Sequence, residues 1–138
     1  MKRTAKAHWS GTIKEGKGEL TTQSEILNKT NYSFKTRLEE HQKGTNPEEL
    51  LAAAHAACFT MAVSFALTEK GLHPTSLDTE ATLTMEGFAI TGMHLSISGA
   101  VPGIRADEFE TITKEAEKNC LISKALNISI SSEAHLTD

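Results

Sequence analysis

The stretch LLAAAHAACFTMAVSFALT, from Leu50 to Thr68, carries no formal charge unless His55 is protonated. No other segment constrains the fold as strongly. Its length touches the lower limit for a membrane span, roughly 17 residues, but alanine dominates it and His55, Thr60 and Ser64 are spread through it. Its flanks lack the aromatic belt and basic cluster that mark a spanning helix. A helix apolar on nearly every side, in a chain of this composition, is read as buried in the middle of a fold, with no membrane partner. Upstream, Thr45-Asn46-Pro47-Glu48-Glu49 reads as a helix start. Asn46 suits the N-cap, Pro47 the first helical position and Glu49 the third, from which a carboxylate reaches back to the cap. The helix is expected to end near Lys70, with Gly71 at C′ and Pro74 beyond it.

The 138 residues suit one domain, since domains commonly run about 100 to 200 residues, and a single domain over 1–138 is expected. With 38% apolar and 23% charged residues, 3 Pro and 9 Gly, the chain is not disordered or low in complexity. Its 14 Lys and Arg against 18 Asp and Glu give a net charge of −4, which leaves no basic footprint for nucleic acid or anionic lipid. The start MKRTAKAHWSG has no apolar run behind its basic residues, so it does not read as a signal peptide, and a cytoplasmic location is expected.

Two β-prone runs at 5–12 and 16–22 suggest a hairpin around Glu15-Gly16, and Tyr32 to Leu38 alternates like a third strand. Beyond the long helix, Ser76 to Met85 and Ala89 to Val101 read as paired strands joined at Glu86-Gly87. A helix from Asp107 sets Phe109, Ile112, Ala116 and Cys120 near one face, and a short helix (121–126) and a last strand (127–134) follow. This order gives an α+β fold with a mostly antiparallel sheet.

The two cysteines, Cys58 and Cys120, are too few for a disulfide scaffold or a four-cysteine zinc site. Mid-helix, Cys58 suits an inert core thiol equally well. To react it must be a thiolate, and its position denies it the helix N-terminal dipole. A fixed cation is then needed, and lowering its pKa by about 2.5 units takes roughly 3.4 kcal/mol. Of Arg3, Arg37 and Arg105, Arg37 stands nearest in sequence before the helix and is the leading candidate. Glu48 is able to hold such an arginine in a bidentate contact, or simply complements the helix dipole. In one straight helix Glu48 and Cys58 lie about 15 Å apart along the axis and about 80° apart in rotation. For both to act on one arginine, Glu48 must come from a second, antiparallel copy of the helix, or the helix must bend near its start. The first option predicts a homodimer. Cys120 is either a second core thiol or a partner for Cys58, which requires Cα atoms about 5 to 6 Å apart. His55, one turn before Cys58, reads as a satisfied core histidine, a base for the thiol or a metal ligand. With no second pair of ligands in view, no metal is assigned.

The segment GTNPEELLAAAHAACFTMAVSFAL, Gly44 to Leu67, resembles the signature of the OsmC/Ohr family, the osmotically inducible and organic hydroperoxide resistance proteins, and is closer to the OsmC branch. AHWSGTIKEGKGEL, FKTRLE, GFAITGMHLSISGAVPGI and NCLISKAL agree with it, so the likeness covers nearly the whole chain. The resemblance implies an intertwined homodimer, with long central helices enclosed by sheets from both chains. It further implies a cofactor-free thiol peroxidase for organic hydroperoxides and, less efficiently, hydrogen peroxide. Cys58 attacks the peroxide, Cys120 forms a disulfide with it, Arg37 and Glu48 form the peroxide site, and a dithiol such as a dihydrolipoyl group restores the thiols. Phe34, Phe59 and Met61 are the expected apolar lining for the substrate. Where family members commonly have Cys-Pro this chain has Cys120-Leu121, without the proline that would start the following helix. A non-catalytic dimeric binding module of the same fold and a hydrolase using Cys58 and His55 are the alternatives.

Overall fold

A computed structural model describes residues 1–137. The chain divides into two compact units, Met1–Leu50 and the remainder from Leu51 onward. In the first unit, β1 (Ala5–Ser10), β2 (Lys17–Thr22) and β3 (Thr30–Tyr32) form an antiparallel sheet in the order β1-β2-β3. The hairpin expected from the sequence is present, with Ser10 paired to Lys17.

The third expected strand is different. It stops at Tyr32, and Phe34–Leu38 is a short helix, α1. Ser33 overrides the alternation by closing a capping box. Its hydroxyl accepts from the Thr36 N–H at 3.2 Å, and the Thr36 hydroxyl accepts from the Ser33 N–H at 2.7 Å. Thr36 also donates to the Thr45 carbonyl at 2.7 Å, which ties α1 to the segment leading into the long helix.

That helix, α2 (Pro47–Glu69), begins where the sequence indicates, with the Glu49 N–H donating to Asn46 Oδ1 at 2.7 Å. The Glu49 carboxylate accepts from the Thr45 hydroxyl at 2.8 Å. The helix ends in a Schellman turn. Gly71 has φ 74°, a left-handed value that costs a glycine little, and the Leu72 N–H donates to the Leu67 carbonyl at 3.0 Å.

In the second unit, β4 (Ser76–Glu86), β5 (Ala89–Ala100) and β6 (Ser129–Thr137) form a sheet in the order β4-β5-β6. β4 and β5 pair antiparallel along their whole length. β6 pairs parallel to β5, because α3 (Ala106–Asn119) and α4 (Leu121–Ala125) carry the chain back to the starting end of β5. Together with the first unit, the fold is α+β with mostly antiparallel sheets, as expected. The alternation along β5 sends Met93, Leu95 and Ile97 into the core, where they join Phe59, Val63 and Leu67 of α2 and Phe109, Ile112 and Ala116 of α3. Gly99 leaves room for the Phe109 ring, since a Cβ there would stand 2.6 Å from its Cζ.

α2 is long and apolar enough to cross a membrane by length and composition. Here His55, Phe59, Val63 and Leu67, one residue in every four, form its buried stripe. Ala53, Ala57, Met61 and Phe65 form a second apolar stripe that is exposed, Met61 at 73% and Phe65 at 68%. Phe109→Ala removes a fully buried ring from the contact between α3 and β5. We expect it to destabilise the protein by about 3 to 5 kcal/mol, read from the urea midpoint.

Candidate active site

Asn46 organises the polar part of the first unit. Besides capping α2, its amide nitrogen donates to the Thr36 carbonyl at 3.0 Å, which fixes the end of α1 against the start of α2. Arg37 follows Thr36 and Glu48 precedes Glu49, and their side chains meet, with Nε 3.0 Å from Oε1. The pair is partly sheltered, at 32% and 17% exposure. Glu48 Oε2 is buried without a hydrogen-bond partner among the described residues, so this carboxylate keeps accepting capacity. The structure therefore brings together the two residues singled out as cation and carboxylate, with Arg37 on a helix rather than a strand.

In the second unit, Cys58 lies on α2 and Cys120 at the junction of α3 and α4. Both are free thiols, Cys58 half-buried and Cys120 buried, and they interact directly with each other. α4 forms immediately after Cys120 without the proline, and Leu121, in its place, is exposed. Burial pushes the Cys58 thiol up, opposed by the backbone N–H groups of Ile122 and Leu121 and reinforced by the Cys120 thiol. At Cys120 burial also acts upward, but the Ser123 amide, the Cys58 thiol, the Ser123 hydroxyl and the Ile122 amide outweigh it and hold this thiol below its ordinary range. The amides at the start of α4 thus favour one anion on the pair, with Cys120 the more acidic member.

His55 is fully buried, with Nε2 2.7 Å from Ser123 Oγ. Its partner is a hydroxyl, not a metal site, and among the described residues no three His, Cys, Asp or Glu side chains converge to hold an ion. Ser123 is the residue that sequence reasoning missed. The available signal was its place one turn after Cys120, where a hydroxyl faces back toward the preceding residue of the turn.

Of the three expected substrate contacts, Phe59 and Met61 lie in the second unit and Phe34 in the first. Phe59 is fully buried in the core of the second unit, because it belongs to the stripe that packs on the sheet. Met61 is two residues on, about 200° around the helix, and lies on the exposed stripe. Phe34 is half-buried at the start of α1 in the first unit.

A long apolar helix bearing a thiol near a second thiol, in an α+β frame, defines a two-cysteine protein with paired free thiols. Comparison with known proteins places it more closely. The chain belongs to the OsmC-like protein family, whose model matches residues 40–134. It is 47% identical to Peroxiredoxin OsmC of Escherichia coli over 97% of this chain and 96% of that protein. It is 35% identical to the organic hydroperoxide resistance protein OhrA of Bacillus subtilis over 64% of each. The crystal structure of an OsmC-like protein from Mycoplasma pneumoniae has the same fold, with a TM-score of 0.79 over 100% of this chain and 99% of that one at 15% identity.

Because the two thiols lie near enough to act on each other's ionisation, one equivalent of a mild two-electron thiol oxidant is expected to join them within one chain. Non-reducing peptide mapping should then recover the Cys58 peptide linked to the Cys120 peptide, with the loss of both thiol hydrogens. Links between chains in place of this one would contradict the contact.

Proposed function

We propose that this protein is a cysteine-based thiol peroxidase that reduces organic hydroperoxides, and hydrogen peroxide less efficiently, in the cytoplasm. The contact between Cys58 and Cys120 carries this reading, since a buried thiol beside a second thiol has a partner with which to form a disulfide after oxidation. The names of its relatives, a peroxiredoxin and a hydroperoxide resistance protein, support it.

The Cys58 thiolate attacks the distal peroxide oxygen. The O–O bond breaks, sulfur is oxidised to the sulfenic acid, and the alkoxide leaves as the alcohol after taking a proton. The Cys120 thiolate then attacks the sulfenic sulfur. An S–S bond forms, the S–O bond breaks, and hydroxide leaves as water. An external dithiol, such as a dihydrolipoyl group, reduces the disulfide by exchange.

Burial opposes the Cys58 thiolate, so the first step needs positive charge in addition to the amides of α4. Arg37, held by Glu48, is the group we assign to supply it and to stabilise the oxygens of the peroxide. Ten residues of helix separate Glu48 from Cys58, about 15 Å, so one subunit's Arg37 and Glu48 serve the other subunit's Cys58 in a homodimer. For an antiparallel pair of α2 helices, Glu48 of one stands level with Cys58 of the other when they cross at the level of Ala53. Exposed Ala53, Ala54 and Ala57 permit close approach there. The exposed apolar stripe ending in Met61 and Phe65 is the surface such a pairing covers. Met61 and Phe34 remain the apolar residues assigned to substrate.

Cys58→Ser is expected to reduce hydroperoxide consumption to the uncatalysed background, and Arg37→Ala to slow it about 100-fold through a thiolate pKa higher by about two units. Stopped-flow assays with cumene hydroperoxide and hydrogen peroxide measure both. Consumption by Cys58→Ser at the parental rate overturns the nucleophile. Light scattering is expected to give about twice the 15.0 kDa of one chain, and Ala57→Arg to return that mass toward a single chain. A parental mass of one chain overturns the shared site.

A further inference from the structure

His55 is the one fully buried titratable side chain of α2, and the peroxidase reaction as written does not use it. Two observations fix its state. Nδ1 is buried without a hydrogen-bond partner among the described residues, while Nε2 lies 2.7 Å from Ser123 Oγ. A proton on Nδ1 would be a buried donor with nothing to receive it, which is more costly than an idle lone pair. The neutral ring therefore carries its proton on Nε2 and donates it to Ser123 Oγ. Burial pushes the ring's pKa down, opposed by the charge of Glu117, which keeps the ring in this neutral form.

With its oxygen receiving the His55 N–H, the Ser123 hydroxyl is left to turn its own hydrogen elsewhere. Cys120 stands one helical turn back, at the start of α4, and its ionisation is favoured by this hydroxyl. Ser123 is half-buried and also lines an open depression with Glu117, Lys118, Lys124 and Ile130, so the chain of polar groups reaches solvent at its middle member.

We propose that His55 and Ser123 are positioning residues for the resolving step: His55 orients the Ser123 hydroxyl, and that hydroxyl donates to the Cys120 sulfur that attacks the Cys58 sulfenic acid. The step is the one already balanced above. Cys120 enters as the thiolate, its proton already released to solvent; its sulfur is oxidised as the S–S bond forms, the Cys58 sulfur is reduced, and hydroxide departs and is protonated to water. The inference rests on the peroxidase reading for its role in turnover, but not for the state of Cys120. The titratable groups that face Cys120 and its relay are Cys58 and His55 from α2 and Glu117 from α3. Lys114 and Ser132 stand behind Glu117, and Lys118 and Lys124 stand at the depression.

The test begins with Cys58→Ser protein, in which ultraviolet thiolate absorbance reports Cys120 alone. Adding Ser123→Ala is expected to raise the midpoint of that titration by about one unit, a tenfold loss of thiolate below it. Ser123→Thr should keep the original midpoint. An unchanged titration in a natively folded Ser123→Ala protein overturns the proposal. His55→Gln, which retains an N–H donor, is expected to preserve the midpoint better than His55→Leu; if the latter fails to fold, the Ser123 pair still decides. In the two-cysteine protein, one equivalent of cumene hydroperoxide should give sulfenic acid at the parental rate in Ser123→Ala. Disulfide closure should be about tenfold slower, with sulfenic acid accumulating to be trapped by dimedone. Closure at the parental rate overturns the role in turnover. A parental protein that consumes no hydroperoxide overturns the peroxidase reading, while the Cys120 titration still decides the relay.

Discussion

The constraint on which the rest depends is that α2 is apolar on both sides. Burying one stripe of a helix on a sheet is the ordinary solution, and His55, Phe59, Val63 and Leu67 are buried in that way against β5 and α3. Alanine, methionine and phenylalanine on the opposite side leave a second stripe that one sheet cannot cover. Full burial of a Met or Phe side chain is worth roughly 1.5 to 3 kcal/mol. Leaving such a stripe wet forgoes stabilisation comparable with a good part of a domain's net stability. The same helix carries Cys58 between its two stripes, so the surface that needs cover adjoins the thiol.

Electrostatics divides the work between local and distant groups. The amides at the start of α4 serve the two sulfurs together, and they favour a single negative charge. They do not choose Cys58 as its owner. In the proposed reaction a cation makes that choice. Arg37 is paired with Glu48, with Asn46 and Thr36 fixing the backbone on either side, so its long side chain is already ordered.

Much of this was legible in the sequence because the informative residues act locally. Asn46 and Pro47 mark a helix start in any context, Gly71 marks a stop, and the alternation along β5 predicts its inward face. Arg37 with Glu48 follows from the need of a mid-helix thiol for a cation and from their places before and at the helix start, whereas the roles of Cys58 and Cys120 as a pair come from the family resemblance. Two features were not legible. Tyr32 to Leu38 alternates as a strand does, yet Ser33 and Thr36 form reciprocal hydrogen bonds and the backbone turns into α1. Phe59 and Met61 look alike as apolar residues beside a reactive thiol, but which side of α2 meets the sheet is decided by long-range packing. A helix apolar all round gives no sign of it.

In the reaction proposed above, proton placement links the two stages. While both sulfurs are thiols they compete for one charge, and each holds the other's second ionisation back. Oxidation of Cys58 ends that competition, because a sulfenic acid no longer claims the charge on its sulfur. The amides of Ile122 and Ser123, and the hydroxyl oriented by His55, then act on Cys120 alone. The site therefore needs no movement of charge from outside to pass from the attacking to the resolving step. In the proposed reaction the cation is required only at the start, when the less acidic of the two thiols is the nucleophile.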